Sequence, residues 1–202
     1  MSDTKGRIIQ TTGSWYQVLL DGKMVMARLK GKFKLDELDT TNPIAVGDFV
    51  TLEKTVNNEY IINEIHPRHN YIVRQSPRNK HQRHIIASNV DQALLIVTIA
   101  QPRTSLGFID RFIAAAESFH IPVKIVLNKT DLIREKEQEQ ADYLKVVYNQ
   151  LGYTVIEAST VTGQGIAIIR ETLRDKTTLV AGHSGVGKST IAVDLAWRSA
   201  VL

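Results

Sequence analysis

The rhythm of apolar and polar positions divides this chain in two near residue 87. Between residues 6 and 65, short mixed runs are broken by turn signals: Gly6–Ile9, Trp15–Leu20, Met24–Leu29, Phe49–Glu53 and Tyr60–Ile65. Runs of that length, rich in β-branched and aromatic residues, read as half-buried strands. Asp21-Gly22 separates the second and third runs by two residues, a strong hairpin signal, and Val46-Gly47-Asp48 and Asn57-Asn58 mark further turns. Five short strands in so small a span predict a β-barrel of the OB-fold type. Pro67–His84 has two prolines, many polar residues and little periodicity. Its later part reads as a linker, giving a barrel over 1–75, a linker over 76–86 and a second domain over 87–202.

In the second domain, nearly all-apolar runs alternate with helical periodicity. Ala93–Ile99, Pro122–Leu127, Tyr153–Glu157 and Thr177–Ala181 read as buried strands. Gly107–His120, Arg134–Gln150 and Gln164–Leu173 read as helices, the first with Phe108, Ile109, Phe112, Ile113, Ala116 and Phe119 along one face and the second with Ala141, Leu144, Tyr148 and Leu151 on its apolar side. Such alternation predicts a parallel sheet covered on both faces, with ligands at the carboxyl ends of its strands.

Candidate chemistry lies at those ends. Gly182, His183, Ser184, Gly185, Val186, Gly187, Lys188 and Ser189 have the spacing of a phosphate-binding P-loop, directly after the apolar Leu179-Val180-Ala181 and before Thr190 opens a helix. The glycines let the backbone fold back so that amides point at an anion, and the helix adds the positive end of its dipole. Lys188 would reach the β- and γ-phosphates as the catalytic cation, and Ser189 would ligate Mg²⁺. Asn128, Lys129, Thr130 and Asp131 follow the strand that ends at Leu127. Guanine presents an N1–H and an N2 amine side by side, and one carboxylate, that of Asp131, accepts both. Ser159 and Thr160 form a second base loop after the next strand. A guanine-reading loop that precedes its P-loop reverses the usual order, as a circular permutation would, and leaves the folded site intact.

Composition narrows the partners. The 202 residues contain no cysteine, which excludes disulfides and cysteine-based zinc sites within them. No apolar run of membrane-spanning length occurs, and the start lacks a signal-peptide core, so a cytoplasmic monomer without membrane attachment is expected. The net charge of +4 is concentrated in two acid-free stretches. One carries Lys23, Arg28, Lys30, Lys32 and Lys34, and the other includes Arg68 and Arg74. Beside an OB barrel these seven are candidate RNA contacts.

Together the pieces resemble the RsgA/YjeQ family, circularly permuted bacterial GTPases that assist late assembly of the small ribosomal subunit. The resemblance rests on Arg28–Lys32, Val46–Val50, Pro67-Arg68, Ala87–Gln92, Asp110–Phe112, Asn128–Asp131, Ser159-Thr160 with Gly163–Gly165, and Gly182–Ser189. It implies an OB-fold barrel followed by an α/β P-loop GTPase domain, GTP and GDP as ligands with Mg²⁺, hydrolysis by water, and ribosomal RNA of the small subunit as partner. Family members continue with switch segments and a C-terminal zinc domain. Here no Asp-x-x-Gly follows the P-loop. The domain is therefore expected to be incomplete at its C-terminus, through truncation or an altered tail.

Overall fold

The computed structural model describes residues 4–30, 43–75 and 83–199. Packing divides the chain into two compact units, Met1–Val90 and Asp91–Leu202. In the first, β1 (Thr4–Thr12), β2 (Trp15–Leu20), β3 (Lys23–Leu29), β4 (Phe49–Lys54) and β5 (Tyr60–Ile65) close into a barrel in the order β1-β2-β3-β5-β4. Closure runs through β1, where Arg7 pairs with Leu19 on one side and Phe49 on the other. A closed sheet offers no unpaired edge. Asp21 and Gly22 both take positive φ, 48° and 74°, as a two-residue hairpin turn requires. Alternate residues Tyr16, Val18 and Leu20 turn inward, with Ile8, Ala27, Val50, Leu52 and Ile62 as the core. Tyr16 is therefore a core ring and no stacking platform for bases.

A buried polar cluster tightens this unit. Asp48 is wholly buried and accepts from Arg68 Nε at 2.6 Å, Arg68 Nη2 at 2.6 Å, Ser88 Oγ at 2.5 Å and the Ala45 amide at 2.8 Å. Arg68 also donates to the Pro43 carbonyl at 2.7 Å, and only 11% of its side chain is exposed. Arg68 thus differs from the exposed candidate RNA contacts: its Nε and Nη2 are bonded within the barrel unit. Asp48→Ala would leave the guanidinium buried and uncompensated, and is expected to destabilise the unit by about 3–5 kcal/mol. Urea unfolding checks this; an unshifted midpoint would show that the pair contributes nothing.

A second difference concerns the expected linker. Residues 83–86 lie in a strand, β7 (Arg83–Ser88), which pairs antiparallel with β6 (Tyr71–Gln75). Val73 faces Ile85 across this sheet, and the division between the units falls after Val90. The basic and histidine residues within these strands mask the apolar alternation that would have revealed them. Residues 76–82 of the expected linker lie outside the described residues, as do Lys32 and Lys34.

The second unit runs β8 (Gln92–Val97), α1 (Leu106–Glu117), β9 (Val123–Leu127), α2 (Glu135–Gln150), β10 (Thr154–Glu157), α3 (Ile166–Leu173), β11 (Thr178–Ala181) and α4 (Lys188–Ser199). The strands form a parallel sheet in the order β10-β9-β8-β11, so the last strand lies beside the first. Leu94, Ile96, Val126 and Ile156 pack against Ile166 and Ile169 of α3 and Ile191 of α4. The alternate residues Ala93, Leu95 and Val97 are buried too, facing the opposite way. That face is covered by α1, which packs on β8 and β9, and by α2, which packs on β10. Ser105 caps α1 by accepting from the Phe108 amide, and Ile109, Ile113 and Ala116 form its buried stripe. Leu151, expected on the apolar side of α2, is 65% exposed because the helix has ended by then. Among the described residues, no helix is long and apolar enough to cross a membrane.

Two phenols brace these helices and make stability depend on alkaline pH. Tyr148 donates to Asp110 Oδ1 at 2.7 Å, and burial followed by that bond pushes its hydroxyl well above the usual range. Tyr153 donates to the Glu117 carboxylate, which with burial pushes it to about 12. A raised phenol contributes its full stability below the unfolded value near 10 and loses it as pH rises through the folded value. The melting temperature is expected to hold up to about pH 10 and fall between about pH 10 and 12. Tyr153→Phe should flatten that decline; an unchanged slope would contradict the assignment.

Candidate functional site

Because the four strands are parallel, the loops after β9, β10 and β11 all lie at the carboxyl ends of the strands. The loop after β11 is the glycine-rich one. Gly182 has φ 142°, and a Cβ there would lie 2.3 Å from the Ile96 carbonyl oxygen. Gly187 has φ 100°, and a Cβ there would lie 2.3 Å from Asn128 Nδ2. Only glycine permits both the conformation and the close approach. Between them Val186 is fully buried in the core and anchors the loop. Lys188 opens α4, and its ammonium curls back to donate to the carbonyls of Gly182 at 2.9 Å and His183 at 2.7 Å. His183, Ser184, Gly185, Ser189 and Thr190 are exposed around it. The helix start adds partial positive charge, so loop, ammonium and helix end together favour a polyanion.

The loop after β9 is locked to that cradle. Asn128 is 2% exposed, and its Nδ2 donates to the Val186 carbonyl at 2.8 Å. Its Oδ1 is buried without a hydrogen-bond partner among the described residues. Lys129 adopts φ 60° and donates from Nζ to the Gln101 carbonyl at 2.6 Å. Thr130 and Asp131 lie in a single 3-10 turn, Thr130–Leu132. The Thr130 hydroxyl donates to Gln164 Oε1 at 2.8 Å, and its amide donates to the Ala158 carbonyl at 3.2 Å, tying this turn to the loop after β10. From that loop, wholly buried Ser159 donates its hydroxyl to Asp131 Oδ1 at 2.5 Å, and the Ser159 oxygen accepts the amides of Val161 and Thr162 at 3.2 Å each. The Asp131 carboxylate is exposed but aimed by a fixed hydroxyl. Thr160 is half-buried beside Ser159.

The candidate residues thus fall into two groups. Asn128 to Asp131, Ser159, Thr160 and Gly182 to Thr190 belong to adjoining loops of one unit. The basic candidates belong to the other unit. Lys23, Arg28 and Lys30 are exposed there. Arg28 stacks 3.9 Å above the Trp15 ring and pairs with Glu59 at 3.4 Å, while Lys30 lies 3.6 Å from Glu53. Arg74 sits on β6 opposite His84. Three further participants lie outside the candidate site residues, although Gln164 falls within the Gly163–Gly165 stretch that carries part of the resemblance. Gln101 holds Lys129 through a backbone carbonyl, which any residue supplies. Gln164 binds Thr130, and Phe108 stacks on His183 with centroids 3.9 Å apart. These are pairings across the fold that no local spacing encodes.

Comparison with known proteins agrees with this geometry. Residues 65–201 match the RsgA GTPase family, and residues 5–62 match the RsgA N-terminal domain. The small ribosomal subunit biogenesis GTPase RsgA of Bacteroides fragilis is 47% identical over 188 residues, covering 93% of this chain and 61% of that protein. The crystal structure of YjeQ from Thermotoga maritima superposes with a TM-score of 0.80 at 30% identity, over 96% of this chain and 65% of that one. YloQ, a circularly permuted GTPase, superposes with a TM-score of 0.72 at 31% identity, over 94% of this chain and 63% of its own. The chain therefore spans about three-fifths of the length of the curated relative, 61%. With a closed five-stranded barrel ahead of a permuted nucleotide fold, and both segments matched, this chain belongs to the RsgA GTPase family.

Proposed function

We propose that this chain binds guanine nucleotides and hydrolyses GTP in the maturation of the small ribosomal subunit, the role named for its Bacteroides fragilis relative. One observation carries the nucleotide reading. Asn128 lies in the loop after β9, and its Nδ2 donates to the Val186 carbonyl of the glycine-rich loop, so one buried side chain fixes the candidate base loop beside the candidate phosphate loop.

In this reading Asp131, aimed by Ser159, accepts the N1–H and 2-amine of guanine. The Lys129 stem covers the base, Thr130 ties its loop to the next, and Thr160 lines the second base loop. Gly182 to Lys188 wrap the phosphates. Lys188 exchanges the carbonyls of Gly182 and His183 for phosphate oxygens and stabilises charge developing during water's attack on the γ-phosphorus. Ser189, exposed in the first turn of α4, presents a hydroxyl oxygen of the kind Mg²⁺ takes alongside phosphate oxygens. When bound, that ion neutralises phosphate charge. The zinc that the resemblance implies belongs to the C-terminal domain of family members and enters no step here.

The barrel would hold ribosomal RNA through Lys23, Arg28 and Lys30, with Lys32, Lys34 and Arg74 as further candidates. Their phosphate contacts would weaken steeply with salt. Such work fits a monomer acting in the cytoplasm. Single-turnover GTP hydrolysis by the intact protein, with and without small subunits, tests the proposal. Stimulation by subunits is expected; turnover that ignores them would remove the ribosomal role.

A further inference from the structure

The connection from β8 to α1 belongs to none of the nucleotide motifs, yet it touches two of them. Its Gln101 carbonyl accepts Lys129 Nζ at 2.6 Å on the base side. On the phosphate side, Pro102 is close enough that a Cβ built on Gly185 would meet its Cδ at 3.5 Å. Further along, the Phe108 ring stacks on His183 with centroids 3.9 Å apart and planes tilted by 33°. His183 is the second residue of the glycine-rich loop, and its carbonyl is one of the two that hold Lys188.

This connection is rigid. The Thr98 hydroxyl donates to the Pro102 carbonyl, the Thr98 amide donates to Thr104 Oγ1 at 3.2 Å, and the Thr104 amide returns to the Thr98 carbonyl at 2.9 Å. Thr98 and Thr104 are 1% and 6% exposed. Ser105 then fixes the Phe108 amide at the start of α1 at 3.3 Å. Phe108 is thereby presented to His183 from a braced support. The phosphate loop needs such support, since His183, Ser184 and Gly185 are exposed and Gly185 takes φ 82°, a region favourable to glycine. An unbraced loop of this kind would lose conformational freedom on wrapping a phosphate and would bind more weakly.

We propose that Phe108 is a positioning residue for the phosphate loop, holding His183 by ring stacking so that the loop stands in its anion-wrapping shape before nucleotide arrives. This rests on the guanine-nucleotide reading of the site. Phe108 touches no phosphate; it acts through His183. An aromatic pair supports roughly a three- to tenfold effect on affinity.

The test is equilibrium titration of the intact protein and its variants with GDP and with inosine diphosphate, which lacks only the 2-amine read by Asp131. Phe108→Ala is expected to weaken both ligands by roughly three- to tenfold and to leave their affinity ratio unchanged. Phe108→Tyr should restore binding, and the nucleotide-free melting temperature of Phe108→Ala should stay within about 2 °C of the parent. If Phe108→Ala does not fold, Phe108→Leu keeps apolar bulk without the ring and carries the same expectation. Unchanged GDP affinity, a loss that Tyr does not restore, or a loss that tracks a fallen melting temperature overturns the proposal. A parent protein that binds neither ligand overturns the guanine reading and this proposal with it.

Discussion

Asp131→Ala is expected to collapse the preference for GTP over ATP by roughly 10⁴-fold. In the proposed reading, selection at this site comes from a carboxylate that meets two adjacent donors on guanine. Adenine offers neither in that position, so its binding leaves the carboxylate desolvated and unpaired, and the penalty falls on the wrong ligand. The structure sharpens the expectation. Asp131 lies on a short turn held to the loop after β10 by Thr130, and its Oδ1 is fixed by the buried Ser159 hydroxyl. Removing the carboxylate should therefore erase selectivity while the loops stay in place. Asp131→Asn makes a complementary case, because a carboxamide presents one donor and one acceptor and so favours xanthine, which carries a carbonyl where guanine has its amine. Competition among GTP, ATP and xanthosine triphosphate in the two variants reads both effects. An Asp131→Ala variant that still prefers GTP would place base recognition elsewhere.

Lys188→Ala should cost affinity for GDP and GTP alike by roughly 10²-fold or more, the range for losing charged hydrogen bonds to phosphate. The ammonium already lies over the loop, held by the carbonyls of Gly182 and His183 rather than by a carboxylate. Those neutral partners can be exchanged for phosphate oxygens without stranding a buried counter-charge. The folded state should notice the change little, since Lys188 is half-exposed and, among the described residues, its hydrogen bonds go to its own loop. Titration with GDP alongside thermal melting separates the two effects. Near-parental affinity would mean that the loop binds phosphate through backbone and helix end alone.

The features legible in the sequence are those whose physics is local. Alternation over Trp15–Leu20 and the Asp21-Gly22 turn predict a hairpin, and both appear as expected. Ala93 to Val97 of β8 are all buried, which is why they read as a continuous apolar run. The glycine spacing of the phosphate loop is legible because Gly182 and Gly187 have no room for a side chain. What escapes is pairing between distant residues. Arg68 sits in an acid-free basic stretch and looks like its neighbours, yet Asp48, twenty residues earlier, draws it inward. The β6–β7 pair goes unread because basic residues interrupt its apolar positions, and pairing partners such as Val73 and Ile85 are recognised only once the strands meet. In the site, Asn128 and Asp131 are legible from their motif, whereas the contacts of Phe108, Gln101 and Gln164 are not, since the fold alone creates them, even though Gln164 itself lies in the Gly163–Gly165 stretch.

The loop proposed to read guanine precedes, and is bonded through Asn128 to, the loop proposed to wrap phosphate. Equilibrium binding of GDP to the intact protein in Mg²⁺, competed by ADP, tests that proposal most directly. The account predicts saturable GDP binding that ADP fails to displace even at roughly 10³-fold excess. Displacement by ADP at concentrations comparable to GDP, or no GDP binding at all, would contradict it.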